Sequence, residues 1–384
     1  MKKKIALSFF VFFSVSLQEV FSWGFWAHPR INRMAVFCLP EGMFAFYKAN
    51  IDFLSRHAVK PDERRYAVDF EAPRHYIDLD HYGTLPFTDF PKKWEDAVKK
   101  YTEDTLITYG IVPWHVQKEY YRLVKAFKNK DLENILKISA EIGHYIADAH
   151  VPLHTSENYN GQLTGQKGIH GFWESRLPEL FGENYDYFLG QAYYIKNPLE
   201  EIWKVIIESH SALDSVLKFE KELTQQFPED IKYGYENRNN VLVRVYSQPF
   251  ARAYHEKLSG QVERRLRMSI LRVAAFWYSA WVDAGQPNLD ELARQKIEIN
   301  EERFDKILKN FIDREAHLIP ILEQFWGCCQ GDAPNYAFFL DRIQKATLWE
   351  KPYILIESLL FTESFHNDHQ HKKQAQRNCK THFH

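Results

Sequence analysis

Apolar residues recur at three- and four-residue intervals along most of the chain, the spacing of one face of an α-helix. In EGMFAFYKANIDFLSRHAV the stripe runs through Phe44, Tyr47, Ile51, Leu54 and Ala58, and residues 29–58 as a whole predict two helices. From Lys92 the pattern predicts a charged amphipathic stretch to about Thr108 and a break near Gly110 and Pro113. Helices over WHVQKEYYRLVKAFKN and LENILKISAEIGHYIADAH follow. Nothing in residues 92–148 alternates with the two-residue period of a strand. Helical spacing returns in PLEEIWKVIIESHSALDSVLKFEKELTQQF and, after a polar connection at 226–240, in SGQVERRLRMSILRVAAFWYSAWVDAG. That last helix is apolar around much of its surface, so burial against its neighbours is expected, with Gly285 placed to cap it.

The ends of the chain break the pattern. MKKKIALSFFVFFSVSLQEVFS joins a lysine cluster, an apolar run too short for a comfortable membrane span and a polar region ending in Val20 and Ser22. This is the three-part form of a secretory signal rather than an uncleaved anchor. Residues 1–22 are therefore expected to be removed, leaving a secreted or periplasmic protein with no transmembrane anchor and with Trp23 at its new terminus. Beyond Pro287, residues 286–365 predict a C-terminal helical extension to which no chemistry can be assigned. Residues 366–384, His-rich and poor in apolar side chains, read as a disordered tail.

Composition narrows the classes available. About 360 mature residues make one large domain or two smaller ones, and 45% hydrophobic with 16% aromatic residues is ample for a core. A net charge of -2 gives no overall basic field of the kind that nonspecific duplex binding requires. Of the four cysteines, Cys328 and Cys329 are vicinal and Cys379 lies at the tail, so with Cys38 they do not look like a disulfide framework; their pairing is left open and no metal site is assigned to them. There is no glycine-rich phosphate loop, no Gly-x-Ser-x-Gly elbow and no His-Glu-x-x-His helix.

The chemistry concentrates between His144 and Glu174. His144 and Asp148 are four apart in a predicted helix and project from one face about a turn apart, where one cation can take both. His154 follows the helix-ending Val151-Pro152 pair, and a Gly/Asn/Gln-rich loop leads to His170 and Glu174, again four apart. Nitrogen and oxygen donors without cysteine match a zinc ligand set. Upstream, KPDERRYAVDFEAPRHYIDLDHYG is too charged and too interrupted by proline to be core. Asp62 and His75 are its expected ligands, with Asp69, Asp78, Asp80 and His81 as competitors. A cleaved terminus at Trp23 would place an α-amine beside its own carbonyl oxygen, a chelating pair, with the His28 imidazole five residues on.

With Trp23-Gly24 and His28, Asp62 and His75, His144-x3-Asp148-x5-His154 and His170-x3-Glu174 in this order, the chain resembles the trinuclear-zinc superfamily of bacterial phospholipases C and fungal single-strand-specific nucleases. The resemblance covers roughly residues 23–285. It implies an all-α fold with a metal cleft and three zinc ions. Asp62, His75, His144 and Asp148 would hold one; Trp23, His28 and the shared Asp148 a second; His154, His170 and Glu174 a third. The short interval from Trp23 to His28 and the His75-Tyr76-Ile77-Asp78 run resemble the nuclease branch, in which Tyr76 would stack on a base and Asp78 would hydrogen-bond it. Glu174 as the last ligand and the short interval from His154 to His170 are more similar to the phospholipase branch. The acidic residue that helps that branch bind choline is absent, because Gly24, Phe25, Trp26 and Ala27 stand near the terminus.

The activity so implied is hydrolysis of a phosphodiester, either phospholipid or single-stranded nucleic acid, by metal-activated water. Asp148 bridges two ions, and Asp62 is both a ligand and a partner for the attacking water. Arg64, Arg65 and Arg74 lie close in sequence to the ligands and are candidates for phosphate contact. No stable protein partner is expected. The alternative from another class is an envelope zinc-binding protein that keeps the cage without turnover.

Overall fold

The computed structural model describes residues 24–293 apart from 66, 67, 69, 239 and 240. The signal sequence, Trp23, Asp69, Cys328, Cys329, Cys379, the tail and most of the expected extension lie outside the described residues. The chain opens with α1 (Gly24–Ala35), α2 (Glu41–Ala49), α3 (Ile51–His57) and α4 (Lys60–Arg64). A region of turns leads to α5 (Trp94–Tyr101), α6 (Glu103–Thr108), α7 (Val112–Lys128) and α8 (Leu132–Ala149). Next come α9 (Ile169–Gly171), a π-helical turn (Phe172–Arg176), α10 (Leu177–Phe181) and the long α11 (Pro198–Thr224). The described part ends with α12 (Glu229–Lys232), strands β1 (Tyr233–Arg238) and β2 (Val241–Tyr246), α13 (Gln248–Lys257), α14 (Gln261–Asp283) and α15 (Asp290–Ala293). The architecture is mostly helical, compatible with an all-α class.

Helix α8 is the centre of this arrangement. It packs on α7, α14, α3, α1 and α11, and almost every residue from Ile135 to Ala149 is buried. A helix buried on all sides has few positions for polar groups, yet α8 carries Ser139, His144 and Asp148 into the interior. Ser139 is satisfied locally, because its hydroxyl shares a 2.8 Å hydrogen bond with Tyr47 and its carbonyl accepts from the Trp277 indole at 3.0 Å. The other two face the site described below. As expected, α14 is largely buried and packs against α8. Its end closes as predicted at Gly285, whose φ is +87°: the Gly285 N–H reaches the Val282 carbonyl at 2.9 Å and the Gln286 N–H reaches the Trp281 carbonyl at 3.0 Å.

One glycine sets how closely α1 approaches α8. The Asn32 amide, on α1, donates to the Leu54 and Ala140 carbonyls at 3.1 and 3.0 Å. A Cβ on Gly143 would stand 2.1 Å from Asn32 Oδ1. Gly143→Ala is therefore expected to destabilise the fold by about 2–3 kcal/mol, the cost of overpacking a dense interior. Urea unfolding of the variant against wild type measures it; a midpoint unchanged by the extra methyl would mean that α1 can shift freely.

Two elements differ from expectation. The second predicted helix is two, α2 and α3, broken at Asn50, which adopts φ -110° and ψ 17° and turns its side chain onto the Phe46 carbonyl. Tyr47, Ile51, Leu54 and Ala58 of the predicted stripe are buried, whereas Phe44 is 37% exposed and Met43 and Phe46 are buried in its place. The expected polar connection at 226–240 instead contains α12 and β1, which pairs antiparallel with β2 from Tyr233↔Tyr246 to Arg238↔Val241. At the other end, Leu289 and Leu292 are buried and α15 packs on α2, so the chain beyond Pro287 still contributes to this core.

Candidate metal centre

Four segments bring the predicted ligands together. The C-terminal half of α8 supplies His144 and Asp148, α1 supplies His28, and α4 with the turns after it supplies Asp62 and His75. The segment from the end of α8 to the π-helical turn supplies His154, His170 and Glu174. Together these residues make three buried groups able to hold metal ions: His28 with His144 and Asp148; Asp62 with His75 and His144; His154 with His170 and Glu174. All eight predicted ligands among the described residues take part. Trp23 lies outside the described residues.

Asp148 stands among three imidazoles. Its Oδ1 is 3.3 Å from His28 Nε2, and its Oδ2 is 2.9 Å from His75 Nδ1 and 3.3 Å from His144 Nε2. Asp62 Oδ1 lies 3.7 Å from His75 Nδ1 and 3.6 Å from His144 Nε2. The His28 and His144 rings stack at 3.9 Å. In the third group, Glu174 Oε1 is 2.9 Å from His170 Nε2 and Oε2 is 3.4 Å from His154 Nε2. Glu174 sits within the π-helical turn that follows His170, a kind of insertion often found at functional positions in helices.

The backbone determines which nitrogen each ring turns inward. His144 Nδ1 faces the Ala58 carbonyl at 2.8 Å, His154 Nδ1 the His75 carbonyl at 2.7 Å, and His170 Nδ1 the Tyr159 carbonyl at 3.0 Å. A carbonyl oxygen only accepts, so each Nδ1 carries the proton and the neutral ring turns a lone pair on Nε2 towards its neighbours. His154 Nε2 and His170 Nε2 then confront each other at 3.1 Å, beside a buried carboxylate. Neither Glu174 oxygen has a hydrogen-bond donor in the structure. Two lone pairs and an anion at such distances repel unless a cation lies among them, either a proton or a metal. The same tautomer logic, with the outer nitrogen tied to a carbonyl, orients histidine ligands at metal sites generally. The donors, all imidazole and carboxylate, fit a divalent cation of the zinc type.

Charge in the cluster follows from burial and proximity. Burial alone would lower the His154 pKa, but Asp148 and Glu174 outweigh it and bring it to about 9. His144 is likewise raised by Asp148 and Asp62 against the opposing effect of burial. For His28, burial and then the neighbouring His144 lower the pKa to about 4. Burial raises Asp62 to about 7. Burial would also raise Asp148 and Glu174, yet the imidazoles around them hold both below the ordinary carboxylate range. Near neutral pH the metal-free cluster thus carries a proton on His154 that a cation must displace. Metal uptake at pH 7 is expected to release at least one proton, and affinity to fall as pH is lowered. Calorimetric titration with zinc in buffers of different ionisation enthalpy measures the release; a heat independent of buffer would contradict it.

The competing acidic and basic residues divide clearly. Asp80 accepts from the Ser156 hydroxyl at 2.6 Å and the Glu157 N–H at 3.1 Å, so it anchors the turn after His154 and takes no part in the three groups. His81 stacks on Tyr109 at 3.4 Å and faces Glu157 at 3.6 Å. Arg64 is bound by Glu141 at 2.7 Å and Arg74 by Glu71 at 2.5 Å. Arg65 differs, with Nη1 3.8 Å from Asp62 Oδ1. Tyr76 is half-buried and donates to the Thr108 carbonyl at 3.2 Å; Gly110, at φ +94°, lets the chain pass so close to the Tyr76 backbone that a Cβ would come within 2.2 Å of its carbonyl oxygen. Asp78 is half-buried, and burial together with Asp80 and Glu157 raises its pKa to about 7.

Glu71 escaped the sequence reading. It is fully buried, accepts from the Tyr145 hydroxyl, binds Arg74 and Arg64, and lies 3.9 Å from His75 Nε2, on the side of the ring away from Asp148. The signal that could have found it was the same four-residue interval, Glu71 to His75, that marks His144–Asp148 and His170–Glu174. Cys38 is buried and has no disulfide partner among the described residues. Among the described residues no helix is long and apolar enough to cross a membrane. No protein-family model matches the chain, and no curated protein matches it.

Proposed function

We propose that this chain is an exported zinc-dependent phosphodiester hydrolase of the phospholipase C or single-strand nuclease type. The observation that carries the reading is the inward confrontation of buried imidazole lone pairs and carboxylates, which calls for cations at three adjoining positions. Zinc bound there would bring the pKa of water towards neutrality and neutralise charge on a crowded phosphorane-like transition state. Asp148, between His28, His75 and His144, holds the nitrogen ligands of two positions about one carboxylate. Asp62, beside His75 and His144, would accept a hydrogen bond from the attacking water as well as serving as a ligand. Glu71 is a positioning residue that fixes the His75 ring from behind.

Arg65 is the arginine of the three whose guanidinium approaches a ligand, and it binds the substrate phosphate. Arg65→Ala is expected to raise KM more than it lowers kcat, with metal content unchanged; loss of metal with intact KM would assign it to the cage instead. Tyr76 and Asp78 line the pocket for the group attached to phosphorus. The near-complete burial of most ligands favours a second reading, a zinc-holding protein without turnover.

The test is hydrolysis of single-stranded DNA, RNA and phosphatidylcholine by the mature protein, with and without chelator. At least one is expected to be cleaved, with activity lost on chelation and restored by zinc. Activity indifferent to chelator would contradict the reading, and retained zinc without any hydrolysis would favour the second.

A further inference from the structure

A groove of about 940 Å³ runs between the start of α5, the outer face of α7 and the segment leading into α11. None of its lining residues belongs to the metal centre. Three tyrosines line it, Tyr121, Tyr193 and Tyr194, which are 55%, 38% and 48% exposed. Two are held rigidly. The Tyr194 hydroxyl donates to Asp283 at 2.8 Å, and Asp283 also accepts from Tyr120 at 2.6 Å. The Tyr193 hydroxyl accepts from Arg272 at 2.6 Å and donates to Glu201 at 3.0 Å. Asp283 and Arg272 do not line the groove although Glu201 does, so the Tyr193 and Tyr194 hydroxyls are already engaged and what these two tyrosines offer a ligand is mainly ring surface.

The charges around these rings decide what that ligand is. Lys93, Lys196 and Lys204 are balanced by Glu95, Glu200 and Glu201, and Glu201 is itself paired with Arg272 at 2.7 Å. A polyanion such as nucleic acid calls for a clear cationic excess; a quaternary ammonium calls for an aromatic cage without lysines. A balanced set of donors and acceptors beside fixed aromatic faces suits a molecule that is uncharged, carries many hydroxyls that both donate and accept, and presents C–H bonds to a π-face. The volume is at the upper end of ordinary ligand pockets and accommodates several sugar units.

We propose that this groove binds a neutral oligosaccharide. The full mature chain is titrated with hexamers of α-linked glucose, β-linked glucose, β-linked N-acetylglucosamine and mannose, and in parallel with oligodeoxythymidylate. Binding is followed by calorimetry. One or more of the saccharides is expected to bind saturably, and both Tyr194→Ala and Tyr121→Ala to weaken it about three- to tenfold, the range for losing one aromatic contact. Tyr121 is the more exposed and serves where Tyr194→Ala lowers the melting temperature. The proposal is overturned if none of the saccharides binds, if both variants bind as well as wild type, or if the variants instead impair oligodeoxythymidylate binding.

Discussion

Asp148→Asn is expected to abolish hydrolysis and to lower the metal content by more than one ion per chain. The substitution preserves the shape of a fully buried side chain but replaces an anion with an amide whose nitrogen is a donor only. Whichever way the amide turns, its nitrogen faces either His28 Nε2 at 3.3 Å or His75 Nδ1 and His144 Nε2 at 2.9 and 3.3 Å, so one side of the carboxylate ceases to bind a cation. Losing a mere outer partner of a metal ligand costs roughly 10- to 100-fold. Losing a ligand proposed to serve two positions should exceed about 100-fold in activity. Metal analysis and a turnover assay on the same preparation check this, with circular dichroism to show that the helices remain; near-normal activity with reduced metal would separate the cluster from the chemistry.

Glu174→Gln is expected to act more locally. Among the described residues Glu174 faces His154 and His170, at 3.4 and 2.9 Å. Without its charge, the His154 and His170 Nε2 atoms, 3.1 Å apart, lose the anion that holds a cation beside them. One ion should be lost and the other two retained, because Asp148, Asp62, His28, His75 and His144 are untouched. Activity should fall steeply while the remaining metal stays bound. Loss of every ion would mean that the three groups load as one cooperative unit, and loss of none would remove Glu174 from the ligand set.

Much of this site was legible in the chain because helical geometry converts a four-residue interval into proximity. His144 with Asp148 and His170 with Glu174 required nothing more. His28, Asp62 and His75 come from segments distant in sequence, and only the resemblance to a metal-binding family united them with α8. What local pattern could not supply was the competition between partners. Arg64, Arg65 and Arg74 look alike in the chain; Glu141 and the buried Glu71 claim Arg64, Glu71 claims Arg74, and of the three Arg65 approaches Asp62. The hairpin was hidden for a related reason. Tyr233–Arg238 is mostly polar and contains Gly234, so its strand character depends on pairing with the valine-rich Val241–Tyr246 rather than on any apolar stripe of its own. Asn50, able to bond the backbone of the preceding turn, likewise divided one predicted helix into two.

The most direct measurement is the zinc content per chain of the correctly trimmed protein, determined by mass spectrometry of the metal. It is set beside a form that keeps one residue ahead of Trp23. Three zinc ions are expected on the trimmed chain and about one fewer on the extended form, whose terminal amine is no longer available. A trimmed chain that neither carries zinc nor takes it up on dialysis would show that the imidazoles and carboxylates around Asp148 and Glu174 are satisfied by protons alone, and would contradict the metal centre.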